Sequence, residues 1–176
     1  MVRINARNFD MHINRMILAV VLLLSCSGCG GGGGTDIRPM PQKTADVTFG
    51  TSSNNQTVPL KGVFIAATLP AGLSVATEPG STQISTTALK GVGDGGQTPF
   101  GTYSAAIRKV RISSALTSSS IAYGPYARLI CNVTPGTTLK ETDITSITPD
   151  DFQPTGDGGS DLSSTVKSVI SVVFGY

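Results

Sequence analysis

Histidine is almost missing from this chain: the only one among its 176 residues is His12, in a short N-terminal segment. A Ser-His-Asp or Cys-His nucleophile system and a histidine-ligated zinc, iron or copper centre are therefore excluded from everything downstream. Tryptophan is absent, so a sugar-binding face would have to be built from other rings. Charge is scarce at 14 % of residues. The formal charge of +2 comes from Arg3, Arg7 and Arg15 against Asp10, and beyond residue 28 ten basic residues face ten acidic ones. A neutral body has no basic surface that could release phosphate counterions, which argues against nucleic acid as a partner. Long apolar runs are missing too. The longest, Met16 to Leu24, has nine residues, whereas a helix crossing a hydrocarbon core of about 30 Å needs roughly 20.

That nine-residue run, preceded by Arg15, His12, Arg7 and Arg3 and followed by Ser25-Cys26-Ser27-Gly28-Cys29, has the layout of a secretory signal peptide. Small residues ahead of a cysteine resemble a bacterial lipobox, in which the cysteine thiol is diacylated and becomes the new N-terminus. Cys29 follows Ser27 and Gly28 and is the preferred acceptor. Cys26, with Leu23 and Ser25 ahead of it, is the alternative. Asp10 inside an otherwise positive leader suggests that translation begins at Met11. Neither cysteine is followed by aspartate, so the expected destination is the cell envelope as an outer-membrane lipoprotein, facing the periplasm or the cell surface. Gly30 to Gly34 and the prolines at 39 and 41 then form a tether able to hold a domain some 20 Å from the membrane by random-coil scaling. The expected organisation is a signal peptide over 1–28, a tether over 29–43 and one domain over 44–176.

Within that domain the apolar period is two. Ala45, Val47 and Phe49 alternate with Asp46 and Thr48. Val63, Ile65, Ala67 and Leu69 alternate with Phe64, Ala66 and Thr68, and Ala127, Leu129, Cys131 and Val133 alternate with Arg128, Ile130 and Asn132. Further strands are expected over 73–77, 82–89, 103–114, 144–147 and 166–174. Leu69-Pro70-Ala71-Gly72, Glu78-Pro79-Gly80, the glycine-rich 91–96, Thr134-Pro135-Gly136 and Gly156-Asp157-Gly158-Gly159 supply turns. Eight to nine short antiparallel strands with few helix signals predict an all-β sandwich or jelly roll. The last strand, apolar on both faces, is expected to be central, so that its loss would unfold the domain.

The segments GVFIAATLPAGLSVAT (62–77), YARLICNVTPGTTL (126–139) and TPDDFQPTGDGGSDLSSTVKSVISVVF (148–174) resemble the strand and turn pattern of cohesin-like domains. The resemblance covers most of 44–176. It implies a nine-stranded jelly roll shared with a class of carbohydrate-binding modules, and a non-catalytic recognition module binding a protein or polysaccharide partner. No dockerin-type calcium repeat of the D-x-[DN]-x-[DN]-G kind accompanies it.

Candidate sites are few. Tyr103, Tyr123 and Tyr126, with Phe100, are the rings available as a ligand platform, against an ordinary role in packing. Asp150, Asp151, Asp157 and Asp161, interleaved with glycines, could supply some of the oxygens calcium requires, against a solvated turn. The same acids are the only candidates for a carboxylate-only glycosidase; the expectation is no enzyme and no required cofactor. Cys131, on the apolar face of its strand, reads as a buried thiol. Arg108, Lys109 and Arg111 read as a solvated strand edge that discourages aggregation. Edge-strand pairing into a cell-surface assembly is the alternative to recognition.

Overall fold

The computed structural model describes residues 40–54, 58–93, 98–115 and 123–176. The chain divides into units Met1–Pro39 and Met40–Tyr176, and the second is described by itself. The signal, both acceptor cysteines and most of the expected tether fall outside the described residues. Among the described residues no helix is long and apolar enough to cross a membrane.

Two antiparallel sheets enclose one core, giving an all-β sandwich of nine strands. In the first sheet, β1 (Thr44–Ser53) lies between β7 (Gly124–Val133) and β9 (Val166–Gly175). The far edge of β7 is shared by two three-residue strands, β3 (Leu73–Val75) and β4 (Leu89–Gly91). The second sheet runs β5 (Phe100–Ser104), β6 (Lys109–Ala115), β2 (Gly62–Thr68), β8 (Asp151–Thr155). The period of two explains which residues face in. Ala45, Val47 and Phe49 of β1 and Ala127, Leu129 and Cys131 of β7 are fully buried, as are Ile65 and Ala67 of β2 and Val110 and Ile112 of β6. Burying such side chains, roughly 1.5–3 kcal/mol for each valine, leucine, isoleucine or phenylalanine, is what holds the sheets face to face. Gly72 closes the Leu-Pro-Ala-Gly turn at φ 92°, and a Cβ there would stand 2.5 Å from Thr137 Cγ2, so glycine is required twice over.

Five expectations are corrected. Residues 103–114 are two strands, the end of β5 and β6, joined by a turn at 105–108 in which Arg108 adopts φ 53°. Its amide donates to Ala105 O, and its own carbonyl accepts from Leu69 N–H at 2.9 Å. No glycine, proline, asparagine or aspartate marks that turn, which is why the sequence pattern runs straight through it. Lys109 and Arg111 do share the outer face of β6, but β6 is an interior strand and not an edge. Residues 82–89 do not form one strand. Thr82 and Ile84 bond to β5 of the second sheet, the chain turns, and Ala88 O accepts from Ile130 N–H of β7 in the first. Residues 144–147 belong to a short helix, α1 (Glu141–Thr145), and the turn after it. Asp143 accepts the Lys140 amide at 2.8 Å as an N-terminal cap, and Ile144, fully buried, reaches the core. Finally, β9 is not central: it closes the first sheet as an edge, with Val169 and Val173 exposed on its outer face.

Candidate binding cleft and the acidic segment

The crossing of residues 82–89 from one sheet to the other creates a concavity beside Phe100. It is a cleft of about 410 Å³ at the side of the sandwich where β4 and β5 approach. Its floor is apolar, with Ile84, Leu89 and Pro99 buried. Its rim carries Gln83, Thr86, Lys90, Thr98 and Phe100, all exposed. Phe100 is 66 % exposed, an uncommon placement for a side chain with so much apolar surface to hide. The β5 alternation causes it: Gly101 and Tyr103 face the core, so Phe100 and Thr102 must face out. Lys90 is in no ion pair among the described residues, in contrast to Lys61, Lys109 and Arg128. A small apolar floor under a ring, ringed by an amide, hydroxyls and an ammonium, can hold a ligand of mixed character and orient it by hydrogen bonds.

The three tyrosines do not form a platform. Tyr126 is fully buried and its hydroxyl has no hydrogen-bond partner among the described residues, and burial pushes its pKa upward. Tyr103 is buried with its hydroxyl 3.5 Å from Leu73 O; burial raises its pKa, the neighbouring Cys131 adds to the rise, and Arg108 opposes it. Tyr123 is half-buried and donates to Val58 O at 2.7 Å, tying β7 to the segment before β2. Their rings serve the core, and Phe100 alone of the four expected rings is presented to solvent. Gln83, Thr86, Lys90 and Thr98 carry no motif in the sequence; only the crossing between sheets assembles them.

The acidic residues are separated by a strand. β8 was hidden in what reads as one acidic turn, since its Asp-Phe-Gln-Pro-Thr has a charge and a proline where strands usually have neither. Asp150 and Asp151 stand at its start and Asp157 and Asp161 beyond its end, and five strand residues span about 17 Å. Each carboxylate has its own local partner. Asp150 pairs with Lys109 at 3.2 Å and accepts from Thr68 Oγ1 at 3.0 Å, which together hold its pKa below the ordinary range. Asp151 accepts from the Gln153 amide, and Asp157 lies 3.6 Å from Lys61 Nζ. Asp161 accepts from the amide and hydroxyl of Ser163, which lower its pKa. Among the described residues no three histidines, cysteines or acids come together as a metal-binding group. Cys131 is a fully buried free thiol whose pKa burial pushes up to about 12, with Asp46 adding to the rise. A thiol held neutral in this way is inert as a nucleophile.

A scan of family models, a search of curated proteins and a search of solved structures each return no match to this chain.

Proposed function

We propose that this protein is a lipid-tethered, extracytoplasmic recognition module without catalytic activity, and that the cleft beneath Phe100 takes a polysaccharide. The observation that carries the reading is the ring of Phe100, left in water on the rim of a cleft whose floor is apolar and whose edge offers exposed polar groups. Sugars present apolar C–H faces and many hydroxyls, and such a site serves both at once. The nine-stranded two-sheet body supports the resemblance to cohesin-like and carbohydrate-binding domains in architecture. The membrane anchor would be a diacylated Cys29, with Cys26 as the alternative acceptor, in an outer-membrane location. Fractionation of membranes from cells carrying Cys29→Ala or Cys26→Ala tests that part: the true acceptor's loss releases the protein or leaves its precursor unprocessed.

The test of the cleft is affinity electrophoresis and a glycan array with the unit Met40–Tyr176, which contains both sheets and the entire core. Retardation by a saccharide that Phe100→Ala abolishes is the expected result. Retardation unchanged by Phe100→Ala, or capture of a protein and no saccharide at all, would remove the reading. A second reading, a structural subunit joined through edge strands, is favoured by one observation, an edge of β9 that no strand pairs with among the described residues.

A further inference from the structure

Sheet edges differ sharply in this molecule. β3 and β4 are three residues long. β8 is five residues long, begins with Asp151 and contains Pro154. The outer edge of β5, also five residues, is met by residues 82–84, whose backbone exchanges hydrogen bonds with Gly101 and Tyr103. Short length, a charge, a proline or a covering segment are the usual ways to prevent a sheet from recruiting another strand. Although α1 packs against it, β9 has less of this protection. It is ten residues long, contains no proline and one charged residue, Lys167, and pairs with β1 in unbroken register from Thr44↔Gly175 to Ser53↔Val166. Among the described residues nothing pairs with its other side.

The strand is also complementary to itself. Antiparallel pairing of two copies about a two-fold axis through Ser171 sets Val169 opposite Val173 of the second copy, and Val173 opposite its Val169. These are the two exposed outer-face valines, 46 % and 71 % exposed. On the inner face the same register places Ile170 opposite Val172, both half-buried in the single chain. Lys167 meets Gly175, so no like charges face each other. We infer that β9 is a self-association edge, through which two copies of this chain join their first sheets into one continuous ten-stranded sheet. Because the remaining edges are blunted, the assembly closes at two copies and does not continue into a filament. The interface of one strand pair is at the small end of specific interfaces, below about 1,200 Å², so the dimer is weak in solution and gains from confinement of both copies to one membrane. This inference rests on the edge-pairing reading and is independent of the cleft.

Sedimentation of the full chain in density-matched detergent, and of Met40–Tyr176 without lipid, tests it with a charge swap at the axis. Ser171 is exposed and opposite Thr48, so replacing it leaves the core untouched. The wild type is expected to dimerise with rising concentration. Ser171→Lys and Ser171→Glu, each placing like charges face to face, are expected to weaken the dimer at least about tenfold. An equimolar mixture of the two is expected to restore it. A dimer indifferent to both substitutions, or growth into filaments, overturns the inference. So does a wild type that stays monomeric, and amide exchange along β9 then separates two failures. Fast exchange at alternate residues leaves the edge open to a strand of some other protein, whereas uniform protection removes edge pairing altogether.

Discussion

The two flanks of the sandwich are built on opposite plans. On the β4/β5 flank, residues 82–89 leave one sheet for the other, spend their backbone groups within the chain and fold the corner into a cleft rimmed by side chains. On the β9 flank, ten regular residues end the sheet with side chains of little chemical character and a row of backbone groups turned away from β1. A flank whose backbone is satisfied can discriminate only through side chains, and one whose backbone is open recruits by strand pairing and takes its specificity from register. The two proposals, a saccharide at the cleft and a second strand at β9, thus rest on flanks different enough in construction to be broken separately.

Removing residues 166–176 is expected to have the largest effect. Although β9 is an edge, it brings the fully buried Val166, contributes Ile170, Val172 and Phe174 to the core margin and supplies the whole of one ladder to β1. The truncated chain should show no cooperative thermal transition by circular dichroism. Leu129→Ala, at a fully buried position on β7, should cost about 2–5 kcal/mol in denaturant unfolding, while Val173→Ala on the outer face of β9 stays within about 0.5 kcal/mol. Alkali should act between these. Cys131 titrates near 9 when exposed by unfolding and near 12 when folded, so the fold favours the neutral thiol. Its contribution is fully present below pH 9 and is lost as pH rises towards 12, with Tyr126 adding a loss of the same sign. Melting temperature should therefore fall steeply over that window, and less steeply in Cys131→Ala relative to its own value at neutral pH. The finest separation is between flanks: Phe100→Ala abolishes saccharide retardation with the dimer intact, and Ser171→Lys does the reverse, each changing stability by no more than about 0.5 kcal/mol.

What the sequence made legible follows from what a period of two can encode. β1, β2, β7 and β9 have long alternating runs, the proline- and glycine-bearing turn at 69–72 separates β2 from β3 as expected, and the one at 134–136 ends β7. Alternation tells which face a side chain occupies but says nothing about which strand lies alongside, so a strand apolar on both faces reads as central when it is an edge. The 105–108 turn was hidden because Arg108 takes a left-handed conformation that glycine or asparagine ordinarily signals. α1 was hidden because five residues are too few to display a helical period, and Ile144 within it and Ile147 just after it resemble strand positions. In the site, the burial of Cys131 was readable from Leu129 and Val133 two residues to either side. The burial of Tyr103 and Tyr126 agrees with the ordinary packing role, although an isolated ring near a turn has no pattern around it to decide between packing and a platform. Phe100 stood among the expected rings, but Gln83 and Lys90 become its neighbours only once the chain crosses between sheets.

The most direct test of the open flank is its register. Val169→Cys and Val173→Cys, each in a Cys131→Ala background of Met40–Tyr176, would be treated with a bismaleimide shorter than about 10 Å, separately and as an equimolar mixture. Pairing about Ser171 places residues 169 and 173 of opposite copies side by side, while two copies of residue 169 stand four residues, about 13 Å, apart along the strand. Cross-linked dimers are expected in the mixture and almost none in either variant alone. Equal cross-linking in all three samples, or none in any, would contradict that pairing.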